Sequence, residues 1–89
     1  MIEYHNISFV HPVHGGLLIV ETVPDNVTVT EVINALIEER FIAIPEPPYS
    51  YDSYVLGISG GSKIEGNQTL ASGGLHDNCV IYVVLLNID

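Results

Sequence analysis

Only two cations, Arg40 and Lys63, stand among 89 residues, against eleven acidic side chains, so the formal net charge is −9. Two positive side chains cannot neutralise a phosphate backbone, which argues against nucleic-acid binding and against adhesion to anionic membranes. Cysteine is almost as scarce. The lone Cys79 cannot close an internal disulfide, which fits a reducing compartment. No apolar run is long enough to span a bilayer, and the first residues lack the basic, apolar and small-residue regions of a signal peptide. The expected location is therefore the cytoplasm, without membrane insertion.

What is present is a hydrophobic share of 47% and a charged share of only 15%, which predicts a packed core rather than disorder. At this length the expectation is one domain covering residues 1–89. Asn6, Asn26 and Asn67 open Asn-x-Ser/Thr triplets, which matter only in a eukaryotic secreted protein and are read as chance.

Ile2 to Val10 and Leu17 to Val23 are rich in β-branched and aromatic residues, with Pro12 and Gly15-Gly16 between them, which predicts a hairpin with a loop longer than two residues. Pro24-Asp25-Asn26 should end the second strand. Thr28 and Glu31 have the spacing of a capping box. Behind them Val29, Val32, Ile33, Leu36 and Ile37 recur at helical spacing, which predicts one amphipathic helix ending near Glu39 or Arg40. The segment 45–53, rich in proline, tyrosine and serine, has no periodicity. Strands are expected over Tyr54 to Ile58, around Lys63 to Ile64, and over Val80 to Leu86, with Leu75 plugging the core between the last two. The last run is apolar nearly throughout, which predicts a central strand covered on both faces. These elements predict an α+β fold, a mixed sheet of four to five strands with one crossing helix, the β-grasp arrangement.

Over nearly its whole length the chain resembles the ubiquitin superfamily. The nearest pattern is that of the YukD/EsaB family of type VII secretion systems, similar also to the ubiquitin-like domain that opens the EccD membrane component. The residues that carry the resemblance are Val29-Thr-Glu-Val-Ile-Asn-Ala-Leu36, Tyr54-Val-Leu56 with Gly60-Gly61, Thr69-Leu-Ala71, Gly74-Leu-x-Asp77 and Val80-Ile-Tyr-Val83. They are packing and turn signatures, which specify fold more sharply than function. The chain departs from the pattern at Gly57, where an apolar residue is usual, and at Asn78, where a glycine often follows the turn aspartate.

The resemblance implies a non-enzymatic, bacterial accessory or regulatory protein whose partner is a secretion ATPase or a membrane component, with no cofactor. An alternative is a modifier from a bacterial conjugation operon, whose partner is an activating enzyme. Conjugation needs a flexible Gly-Gly tail, and no glycine follows Gly74 in a sequence that closes Asn87-Ile88-Asp89, so this alternative requires a tail that is processed or lies beyond the residues given. A third reading is a small regulatory subunit of a multicomponent oxygenase. The oligomeric state is left open.

Candidate protein-binding residues are Tyr49, Tyr51 and Tyr54, from or beside the proline-rich segment, because exposed loop aromatics offer contact area at low entropic cost. Ile58, Tyr82 and Val84 are added as the nearest match to the aliphatic recognition patch on the sheet of ubiquitin. Other motifs carry less. His5, His11 and His14 would make a zinc set only if the hairpin brought them together, and their spacing matches no ligand pattern, so they are read as loop histidines. Cys79 has no neighbouring base except His76 and is read as a small strand residue. Gly57 to Lys63 evokes a phosphate loop but precedes a short strand, not a helix, and is read as a turn. Glu31, Glu38, Glu39 and Glu46 form a solvated acidic surface.

Overall fold

The computed structural model describes residues 2–47, 49 and 53–86. Strand β1 (Glu3–Val10) and strand β2 (Leu17–Pro24) form an antiparallel hairpin. Helix α1 (Val29–Glu38) follows, then β3 (Tyr54–Ile58), β4 (Lys63–Ile64), a 3₁₀ turn at Ala71–Gly73, and β5 (Val80–Leu85). The sheet order is β2-β1-β5-β3-β4. Only β1 and β5 run parallel, from Ser8 opposite Val80 to Val10 opposite Tyr82. β2 runs one residue further than expected, to Pro24, at the edge of the sheet where a missing backbone donor is tolerated.

The helix begins where its capping box places it. The Glu31 amide donates to Thr28 Oγ1 at 3.2 Å, and the Thr28 amide donates to Glu31 Oε1 at 3.1 Å. That cap contributes about 1 kcal/mol. Burial contributes more, since Val29, Val32, Ile33 and Leu36 are all interior and each is worth roughly 1.5–3 kcal/mol. The helix ends in a Schellman turn, with Phe41 N–H donating to Leu36 O and Arg40 N–H to Ile37 O, both at 3.0 Å. Arg40 adopts the left-handed conformation this turn requires, at φ 61°.

Alternate residues of the strands meet that helical stripe. Ile7 and Phe9 of β1, Leu56 and Ile58 of β3, Ile64 of β4, and Ile81 and Val83 of β5 join Leu70 and Leu75 in one core. The expectation that β5 is covered on both faces does not hold. Tyr82 and Val84 are 50% and 41% exposed, because the one helix covers the other side of the sheet; on their own side cover is local, with Val55, opposite Val84, fully buried.

Candidate protein-docking face

Strand pairing decides which side chains share the uncovered side. Leu17 lies opposite Val10, Val10 opposite Tyr82, Tyr82 opposite Gly57, and Gly57 opposite Lys63, so one row crosses all five strands. Ile19, opposite Ser8, belongs to the next row, and Val84 lies two residues beyond Tyr82 on the same face. Leu17, Ile19, Tyr82 and Val84 are the exposed large apolar residues of this face, at 61%, 63%, 50% and 41%. A methyl group added at Gly57 would meet only the Tyr82 carbonyl, 4.0 Å away, so the centre of the row is open as well as apolar.

Two of the predicted binding residues belong elsewhere. Tyr54 and Ile58 are each only 4% exposed. They pair with Leu85 and Ile81 on the inward-facing side of β3, and Ile58 packs towards Gly73. The Tyr54 hydroxyl donates to the Ala43 carbonyl at 3.0 Å, and burial raises the pKa of its phenol. Tyr49 is half-buried, with its amide donating to the Glu46 carbonyl at 2.8 Å. Tyr51 lies outside the described residues. Conversely, Leu17 and Ile19 escaped sequence reasoning, because Leu17-Leu18-Ile19-Val20 is apolar throughout and its alternation is invisible until β1 sets the register.

The remaining motifs resolve simply. His11 and His14 stack with centroids 3.7 Å apart and planes 9° apart, whereas His5 lies towards the other end of β1, its amide donating to Asp77 Oδ1. Among the described residues no group of three His, Cys, Asp or Glu side chains converges as a metal site would require. Cys79 is buried, with Sγ directed at the Val80 carbonyl at 3.7 Å. The Ser59-Gly60 turn leads into β4, not into a helix. An apolar groove of about 480 Å³ also runs between β2 and α1, floored by Leu18, Val20, Val32 and Leu36 and rimmed by Glu21 and Glu39. Among the described residues no helix is long and apolar enough to cross a membrane.

A five-stranded mixed sheet in this order, with one helix across one face, is the ubiquitin-like β-grasp fold. The solved structure of ubiquitin from Caldiarchaeum subterraneum is similar to this chain with a TM-score of 0.62, covering 96% of each chain at 23% sequence identity. That likeness is one of fold. No protein-family model matches the chain, and no curated protein matches it in sequence.

Proposed function

We propose that this chain is a non-enzymatic protein-interaction module that docks a protein partner through the outer face of its sheet. The observation that carries this reading is the exposed row and its neighbours, Leu17, Ile19, Tyr82 and Val84, on the side of the sheet away from the helix. Removing such a patch from water favours association by about 25 cal/mol per Å² before the costs of ordering, and an aromatic at its centre is the usual energetic anchor. The net charge of −9 favours a partner whose contact surface is apolar at the centre and basic at the rim. The resemblance to the YukD/EsaB family supports a finer reading, an accessory or regulatory component of a bacterial type VII secretion system, acting in the cytoplasm on the secretion ATPase or a membrane component. Tyr49 and Tyr51 would then add contacts from the proline-rich segment.

Affinity capture from the native host tests this, comparing the wild type with Ile19→Asp and Val84→Asp. The expected result is recovery of secretion components by the wild type and their loss from both variants, with unfolding midpoints unchanged because both positions are exposed. Full capture by the variants would remove the sheet face from the mechanism. Deleting residues 46–52 separates the contribution of Tyr49 and Tyr51. Covalent adducts to an activating enzyme, or to lysines of other proteins, would replace the docking reading with the modifier alternative.

A further inference from the structure

The turn between β1 and β2 is assembled around two imidazoles. His11 Nδ1 accepts from the amides of Val13 and His14, at 3.0 and 3.3 Å, and His14 Nδ1 accepts from the amide of Gly16 at 3.0 Å. Backbone amides are obligatory donors, so both rings are neutral and carry their proton on Nε2. The glycines serve this arrangement. Gly15 is left-handed, at φ 72°, and a Cβ on Gly16 would lie 2.7 Å from His14 Cε1. The turn is also closed by His11 N–H donating to the Gly16 carbonyl at 2.8 Å and Gly15 N–H to the His11 carbonyl at 3.3 Å.

We propose that the stacked His11–His14 pair is a proton-operated latch: neutral, it holds the β1–β2 turn closed, and protonated, it opens the turn and loosens the Val10–Leu17 end of the outer sheet face. Protonation places a hydrogen on Nδ1, so a donor then confronts each amide that the ring had accepted. It also puts two like charges in rings stacked at 3.7 Å. The surroundings do little to offset this. Phe41 meets His11 edge-on at 5.5 Å and offers no charge. Glu38 and Arg40, from the end of α1 and just beyond it, line the same hollow with opposite signs. Tyr54, from β3, lines the hollow on the other side of the turn, and its raised pKa keeps it neutral in this pH range.

Partial burial of His11, and secondarily the charge of His14, lower the His11 pKa below the ordinary 6.5. The unfolded chain therefore takes up this proton first as the pH drops. The associated stability is complete above 6.5 and is lost as the pH falls through the lowered folded value. The latch stands without the docking reading; only the consequence for binding rests on it.

Nuclear magnetic resonance of the full chain between about pH 8 and about pH 5 tests the proposal without any partner. The expected result is a His11 titration midpoint below 6.5, accompanied by a roughly tenfold fall in amide protection at Val13 and Gly16 and by movement of the Leu17 methyl signals. His14→Gln should move the His11 midpoint upward, and Gly16→Ala, which expels the His14 ring, should reproduce the open-turn signals already at high pH. Titration of His11 at its ordinary value with the Val13 and Gly16 amides unmoved would overturn the latch. Amides that open while Leu17 stays unchanged would overturn its link to the face. Failure of the capture experiment would leave both results untouched, so the two ideas fail separately.

Discussion

Asn6 and Asn78 meet side chain to side chain, Nδ2 of Asn6 donating to Oδ1 of Asn78 at 3.3 Å, and both residues hold left-handed backbones, at φ 59° and 61°. Together they stitch the middle of β1 to the turn before β5. The Asn78 amide donates to the His5 carbonyl at 2.8 Å, and the Ser8 amide to the Cys79 carbonyl at 3.0 Å, which starts the parallel register. The left-handed backbone accounts for an asparagine at 78, since glycine and asparagine adopt that conformation most readily.

Asn78→Gly should therefore lie within about 0.5 kcal/mol of the wild type, while Asn78→Ala should lose about 1–2 kcal/mol. Urea unfolding of the pair decides it. Equal stability of the two variants would show that the backbone conformation is not what position 78 is selected for.

Two glycines should respond in opposite directions. A Cβ on Gly61 would collide with the carbonyl oxygen of Gly73, a backbone atom that also accepts from the Ser62 amide at 2.9 Å. Gly61→Ala should cost about 2 kcal/mol or more. Gly57, in the open middle of β3, should gain roughly 0.5–1 kcal/mol on replacement by alanine, by loss of unfolded-state freedom. Thermal midpoints that moved the same way for both would contradict the geometry.

Arg40→Gly should stabilise the domain by about 0.5–1 kcal/mol, because the Schellman turn at the end of α1 demands φ 61° from a residue with a side chain. Calorimetry would show a raised midpoint. A lowered one would mean that the arginine side chain contributes more than its backbone costs.

Tyr54 should make the fold sensitive to alkali. Burial raises its pKa above 10.0, so the unfolded chain ionises first. Stability is complete below that value and is lost as the pH rises through the folded pKa. Tyr54→Phe should remove this part of the alkaline loss, and at neutral pH should cost about 1 kcal/mol for the hydrogen bond to Ala43. Unfolding midpoints measured across that pH range in both proteins provide the check.

Much of the fold was legible before any coordinates, because its signals are local. The Thr28–Glu31 box and the spacing of Val29, Val32, Ile33 and Leu36 fix the start of α1, and its end lies one to two residues before the Glu39 or Arg40 expected. β3 ends before the Gly60-Gly61 turn and β4 lies between that turn and Gly66, as those glycines imply. Tyr54 and Ile58 were misplaced for a different reason. Every residue of Tyr54-Val-Leu-Gly-Ile58 except Gly57 is apolar, so the sequence alone carries no alternation to say which side faces the core.

The amino-acid sequence by itself determined the elements, their order, the acidic balance and the core-forming character that those imply, since capping, periodicity and turn chemistry act within a few residues. Only the tertiary structure decided which side of each strand is interior. Phe9 opposite Leu18 and Ile81 opposite Ile58 set the parity, and that parity turned Leu17, Ile19, Tyr82 and Val84 outward together. The stacking of His11 on His14 was likewise settled by how the chain folds back through Gly15 and Gly16. A strand shows its two faces only through its partners, and those partners lie far away along the chain.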